Sequence, residues 1–176
     1  MKKLAFVTAV ALLAASSQAQ LVTNGGFETG DFSGWTPFGD TSFTGVWDWE
    51  SHSGEYNAYF GPLSPGGIMQ TIAANPGDQI QVSFWARSED ELTPNSLTAD
   101  LDGQIIANIM DMTHFEWTEY TATITVANPN PTLRFTLTSP VGYLDLDSVS
   151  ATMVPAPGAL ALLGAGGLVA LRRRRA

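Results

Sequence analysis

Five tryptophans, 17 carboxylates and two histidines are the side chains here with the most chemistry to offer, and there is no cysteine. A flat indole stacks on the C–H face of a sugar ring, while a few polar groups fix the hydroxyls. The clearest alternation runs over 79–87: Ile80, Val82, Phe84 and Ala86 point one way, and Gln81, Ser83, Trp85 and Arg87 the other. Trp85 and Arg87 therefore share the polar face of the longest expected strand, as the leading ligand-contacting pair. Trp47 and Trp49, two residues apart, share a face with Asp48 and Glu50 opposite. Tyr56, Trp117 and Tyr120 are further candidates, whereas Trp35 is expected to pack against the body of the fold. For every one of these rings the competing role is core or edge cover.

Catalysis finds little support. His52 and His114 lie far apart in sequence, and no Gly-x-Ser-x-Gly elbow, His-Glu-x-x-His helix or Gly-rich phosphate loop is present. A glycosidase pair needs two carboxylates across a cleft, one with a raised pKa, and chance pairs abound in so acidic a chain. Glu89-Asp90-Glu91, just past the longest strand, reads as a solvated loop with a cation site as its alternative. Without cysteine there are no disulfides, zinc fingers or thiol nucleophiles. Lys2, Lys3 and the four arginines at 172–175 sit at the ends, so residues 20–152 hold two basic residues against 17 acidic ones, 2 − 17 = −15. That charge excludes binding to a phosphate backbone, which needs clustered cations, and favours cations instead.

The elements that must position these residues are strands. Between 20 and 152 no long stretch shows a 3.6-residue apolar period. Short runs rich in β-branched and aromatic residues alternate with Gly, Pro, Asn and Asp. Strands are expected over 21–27, 44–50, 56–60, 68–73, 79–87, 97–101, 104–109, 118–126, 132–138 and 143–153. Asp102-Gly103 marks a two-residue hairpin, and Pro76-Gly77-Asp78 a turn before the longest strand. The expectation is one all-β domain over 20–152, a two-sheet antiparallel jelly-roll sandwich.

The two ends read as addresses. Residues 1–19 have a basic start, an apolar run and small residues at Ser17 and Ala19, the layout of a signal peptide. At the other end Val154, Pro155, Ala156, Pro157 and Gly158 precede an apolar helix over 159–171 and the arginine tail. From Met153 to Leu171 a helix would reach roughly 28 Å, close to the ~30 Å of a bilayer core. The basic tail would stay cytoplasmic. This tail resembles the PEP-CTERM sorting signal of exported bacterial proteins, with Ala156 where the family has Glu. The resemblance implies an exosortase-type processing enzyme as partner and a passage through the inner membrane. The protein is then expected at the cell envelope, cell surface or extracellular matrix. A permanent single-pass anchor is the alternative.

Over the body a second resemblance appears. Asn24-Gly25-Gly26-Phe27-Glu28 with Gly34-Trp35, then 51–58, Gln70, 82–87 and 144–150, follow in the order of the galactose-binding-like jelly rolls that include many carbohydrate-binding modules. The resemblance implies a ligand face on the concave sheet carrying Trp85 and Arg87. It also implies a structural Ca2+ held by Glu28, Asp147 and the Gly26 carbonyl, with Glu50 and the Ser53 carbonyl. Asp145 is either a second ligand or an exposed charge. The function expected is non-catalytic binding of an extracellular polysaccharide on a calcium-stabilised scaffold. Its rival is a structural or adhesive matrix component with no small-molecule ligand.

Overall fold

The computed structural model describes residues 19–88, 93–111 and 113–155. The signal peptide, the apolar helix and arginine tail, Ala156, Pro157, Gly158 and Glu89-Asp90-Glu91 lie outside the described residues. Ten strands follow in order: β1 (Thr36–Gly39), β2 (Thr44–Trp47), β3 (Asn57–Phe60), β4 (Gly66–Thr71), β5 (Gln79–Ser88), β6 (Ser96–Leu101), β7 (Gln104–Met110), β8 (Phe115–Thr125), β9 (Thr132–Thr138) and β10 (Leu144–Met153). They form two five-stranded antiparallel sheets, ordered β1-β4-β9-β6-β7 and β2-β3-β10-β5-β8. The all-β jelly-roll expectation is met, and no helix occurs among the described residues. None there is therefore long and apolar enough to cross a membrane.

The core lies between the sheets because the alternation is strict. In β5, Ile80, Val82 and Phe84 are completely buried; in β9, so are Leu133, Phe135 and Leu137. Phe84, Phe135 and Trp35 meet in edge-on contacts across the sandwich, with Phe84 and Phe135 centroids 5.1 Å apart. Edge-on rings bring the positive rim of one to the negative face of the other. β10 breaks its own period in a useful way. Its register to β5 shifts between Asp147 and Ser150, where Ser148 has φ 51°. This one-residue bulge lets Leu144 and Leu146 before it, and Val149 and Ala151 after it, all face the core. It leaves Asp145 and Asp147 on the outer side with Arg87 and Trp85 as their register partners.

Several boundaries differ from expectation: β2 stops at Trp47 where the expected strand runs to 50, and β8 begins at Phe115 instead of 118. The strand expected at 21–27 does not form: Gln20 bridges Thr152, Leu21 donates to Ala151 O and Val149 to Gly25 O, but the chain turns away at Asn24. Asn24 has φ 53° and Phe27 φ 57°, two left-handed values within four residues that turn the chain instead of extending it. Gly25 lies so close to β10 that a β-carbon there would stand 2.0 Å from Val149 O. In place of that strand, Thr36–Gly39 pairs with β4, a segment whose Pro37 and Gly39 hide any period. At the C-terminal side β10 includes Met153, and Val154 N donates to Gln79 O at 2.8 Å. Met153 ends that strand, as the expected span 143–153 has it.

Candidate functional site

The outer face of the β2-β3-β10-β5-β8 sheet carries the functional candidates. β2 ends at Trp47, and the chain from 48 to 55 crosses this face before returning as β3. Glu50, with φ 50°, ends the alternation there. Its carboxylate turns inward to accept a hydrogen bond from Arg87 Nη1, and its carbonyl accepts one from Trp117 Nε1 at 3.0 Å. The expectation that Glu50 points away from the tryptophan side is overturned, because the strand stops too early to enforce it. Beneath, Arg87 donates from Nε and Nη2 to Asp145 Oδ2 at 3.1 and 2.8 Å. Arg87 is 6% exposed and Asp145 wholly buried. Asp145 is not an exposed charge; it neutralises a guanidinium that also lies 5.3 Å over the Trp117 ring.

Above this centre opens a cavity of about 480 Å3 lined by Trp49, Glu50, Ser51, Arg87, His114, Glu116 and Trp117. Trp49 is 56% exposed and Trp117 half-buried, so indole surface remains available on two sides. Glu116 and His114 stand at the rim, 3.4 Å apart. Trp85 has a different setting. The His52 imidazole lies over it at 3.9 Å with planes 15° apart, and Trp117 meets the same imidazole edge-on at 5.8 Å. His52 Nδ1 is hydrogen-bonded to Ser148 Oγ at 2.9 Å, so the bulge in β10 fixes the ring that covers Trp85. Trp47 packs on Tyr59 at 4.5 Å and on Trp49 at 5.7 Å, and Tyr143 closes the cluster. Tyr120 stacks on Phe84 at the core side of β8, and Trp35 is buried as expected.

Of the sequence candidates for ligand contact, the fold brings Trp47, Trp49, Trp85 and Arg87 to one sheet face. Tyr56 turns to the core side, where its ring abuts Gly30. Arg87 is beneath the cavity, not proud of it. His114 and Glu116 line the cavity although neither periodicity nor motif singles them out, and Ser51 joins them from the 51–58 landmark, where it is not among the ligand candidates. His114 and Glu116 stand where β8 begins earlier than its apolar pattern suggests.

The oxygen-rich corner lies at the C-terminal end of the same crossing segment. Glu28 accepts from the backbone N–H of Glu55 with both oxygens at 3.1 Å, and from Tyr56 N at 3.2 Å. Gly54, at φ 74°, makes this possible, since a β-carbon there would fall 2.2 Å from Glu28 Oε1. Asp147 Oδ2 accepts from Ser53 N at 2.9 Å, and Oδ1 from Ser148 N. Burial pushes the Asp147 carboxyl up to about 6, although the amides of Ser53 and Ser148 and the nearby His52 pull the other way. A β-carbon on Gly26 would sit 3.8 Å from Asp147 Oδ1 and 4.0 Å from Glu28 Oε1, so the two carboxylates converge where Gly26 has no side chain. Gly26, Glu28, Ser53 and Asp147 thus meet; Glu50 is committed to Arg87. Among the described residues no three His, Cys, Asp or Glu side chains form a metal-holding group, so a cation here would need backbone carbonyls.

A family model described as carbohydrate binding domain matches residues 19–147. Among solved structures, TmCBM61 in complex with beta-1,4-galactotriose superimposes with TM-score 0.63 at 20% identity, over 77% of this chain and 99% of that one. The CBM22-1 xylan-binding domain of Paenibacillus barcinonensis Xyn10C gives 0.58 at 17%, over 81% and 99%. The K3 adhesin domain of Lys-gingipain from Porphyromonas gingivalis gives 0.55 at 13%, over 76% and 99%. At such identities the likeness is one of fold. No curated protein matches the chain.

Proposed function

The chain belongs to the carbohydrate binding domain family, and on that premise we propose that it is a non-catalytic glycan-binding module whose ligand enters the cavity between Trp49 and Trp117. The observation that carries this reading is the cavity itself: about 480 Å3, open, with indole surface on two sides and charged and hydroxyl groups between. Pockets of about 300–1000 Å3 with aromatic walls and few polar groups are the usual form of small-ligand sites. The floor supports the same role. Arg87 is held from below by Asp145 and from above by Glu50, so the guanidinium at the floor is fixed without rotamer freedom. Glu50 is ion-paired and Glu116 is 84% exposed beside His114, so neither has the enclosed apolar setting of a general acid. That supports binding over hydrolysis.

The proposal includes a structural calcium ion. The convergence of Glu28 and Asp147 at Gly26 supports it, and the Gly26 and Ser53 carbonyls complete the oxygen set; the ion would hold the first turn against β10. It also includes export, with a PEP-CTERM-like tail beginning at Val154 and processed by an exosortase, and a place at the envelope or in extracellular matrix. Residue types and their order at the two ends support this part.

A second reading, a structural or adhesive matrix component without a small-molecule ligand, is favoured by the burial of Arg87 and the cover over Trp85. A glycan array with the purified protein, run beside Trp117→Ala and Trp49→Ala, separates the two. Saturable binding to one polysaccharide class, weakened in both variants, is expected. A folded protein that binds no glycan would leave the matrix role standing.

A further inference from the structure

The segment 48–55 lies across the sheet face, and what it does to Trp85 sets the length of ligand the face accepts. Trp85 stands on the outer face of β5, between Asp147 of β10 and Glu119 of β8 in register. This is one strand in from the β8 edge and beside the cavity, where a sugar chain running past the cavity would place its next ring. The space is already filled. His52 lies over Trp85 at 3.9 Å with a 15° interplanar angle, the parallel stack a sugar ring would otherwise make. The imidazole is fixed from three directions: Ser148 Oγ at 2.9 Å, the Trp117 edge at 5.8 Å, and the neighbouring Ser53 N–H on Asp147 Oδ2 at 2.9 Å. The Glu50–Arg87 ion pair pins the same segment further along. Trp117 forms one wall of the cavity and touches His52 with its ring, so the cavity ends where the histidine begins.

Resting on the reading of this cavity as a glycan site, we infer that His52 is a specificity-determining residue that closes the cleft to extended chains. The site therefore takes a chain end or a short stretch of sugar, and beneath His52 lies a latent subsite with Trp85 as its platform. His52 acts by occupying space, not by contacting the bound sugar.

The test is a length series. Binding of β-1,4-linked xylo-oligosaccharides and galacto-oligosaccharides of two to six residues is measured by calorimetry on the full-length protein, on His52→Ala, on His52→Tyr and on His52→Ala/Trp85→Ala. Thermal midpoints recorded in parallel show that each variant is folded. In the wild type affinity is expected to level off by about three residues. In His52→Ala it continues to rise, gaining roughly three- to tenfold by the hexasaccharide, the magnitude of one added aromatic stack. That gain disappears in the double variant, and His52→Tyr, which restores a covering ring, keeps the wild-type plateau. Wild-type affinity that climbs steadily to six residues, or a His52→Ala length dependence equal to the wild type, would overturn the inference while leaving the glycan-site reading intact. No binding of either series by any folded variant counts against that reading itself, and the inference goes with it.

Discussion

Arg87 shows how much one side chain can hold when its charge is taken out of water. It spans Asp145 below and Glu50 above, and only the Glu50 end reaches solvent. Removing one partner of a buried pair leaves the other charge uncompensated, which typically costs about 3–5 kcal/mol. Arg87→Ala is therefore expected to lower the unfolding free energy measured in urea by that order, with most of the loss recovered in Arg87→Met/Asp145→Leu, where no charge is left stranded. Glu50→Gln, at the wet end, should cost about 1 kcal/mol or less. If all three were equally mild, the pair would not be structural. Asp147 gives a pH signature of opposite sign to most carboxylates. Its folded value is raised to about 6 from an ordinary 3.8, so between those values the folded state binds the proton that the unfolded chain has released. Its stabilising contribution is thus complete below about 4 and is lost as pH rises through about 6. Asp40, lowered to about 2 first by the Ser42 hydroxyl, contributes above about 4 and loses its effect as pH falls toward 2. With chelator present, unfolding curves should show stability rising from pH 7 to pH 5 and falling below about pH 4. In Asp147→Asn the rise is expected to vanish while the acid fall remains.

At the scale of elements, strands with a clean two-residue period were readable and those interrupted by turn chemistry were not. β5, β6, β7 and β9 match expectation to within a residue, because the inward positions of β5, β6 and β9 carry Ile, Val, Leu, Phe or Ala without a break and the Asp102-Gly103 turn fixes where β7 starts. The 21–27 segment looked like a strand through its Leu21 and Val22, but its glycines and Asn24 mark a turn. β1 was invisible because four residues with a proline and a glycine carry no period. The binding face followed the same rule. Trp85 and Arg87 were placed on the correct side of β5 by alternation alone. What covers them could not be read, because segment 48–55 contains no periodic element and its path is fixed by long-range partners, Ser53 to Asp147 and His52 to Ser148. The same long-range logic governs the N-terminal turn. Gly25→Ala would press a methyl group against Val149 O, which a bare β-carbon would approach to 2.0 Å. It should break the Val149 N to Gly25 O hydrogen bond and destabilise by about 1–3 kcal/mol. Faster hydrogen exchange at the Val149 amide, with β6 and β9 amides unaffected, is the expected reading; uniform loss of protection would mean that the turn is part of the global unfolding unit.

Across the whole molecule the charges act together. Residues 20–152 carry two cations against 17 carboxylates, and both arginines are already paired, Arg87 as above and Arg134 with Asp100 at 3.0 Å. The remaining carboxylates repel one another through solvent, and this self-repulsion weakens the compact state most when the Debye length is long. Sodium chloride raised from about 10 mM to about 150 mM shortens that length from ~30 Å to ~8 Å and should raise the thermal midpoint progressively. A divalent ion seated between Glu28 and Asp147 adds a separate effect, because it binds the folded chain at a defined place and not the diffuse field. For a site with a dissociation constant near ~10⁻⁴–10⁻³ M, as in extracellular modules, about 10 mM calcium stabilises by roughly 1.5–2.5 kcal/mol through mass action. That is several degrees for a domain of this size. The two contributions separate when calcium and chelator are compared at one fixed ionic strength, with magnesium as the control of equal charge. A midpoint that rises with calcium, rises less with magnesium and stops responding in Glu28→Gln would assign the gain to that corner. A midpoint indifferent to calcium, chelator and magnesium at constant ionic strength would leave only screening. The close approach of Glu28 and Asp147 at Gly26 would then be the work of the backbone N–H groups of Ser53, Glu55, Tyr56 and Ser148.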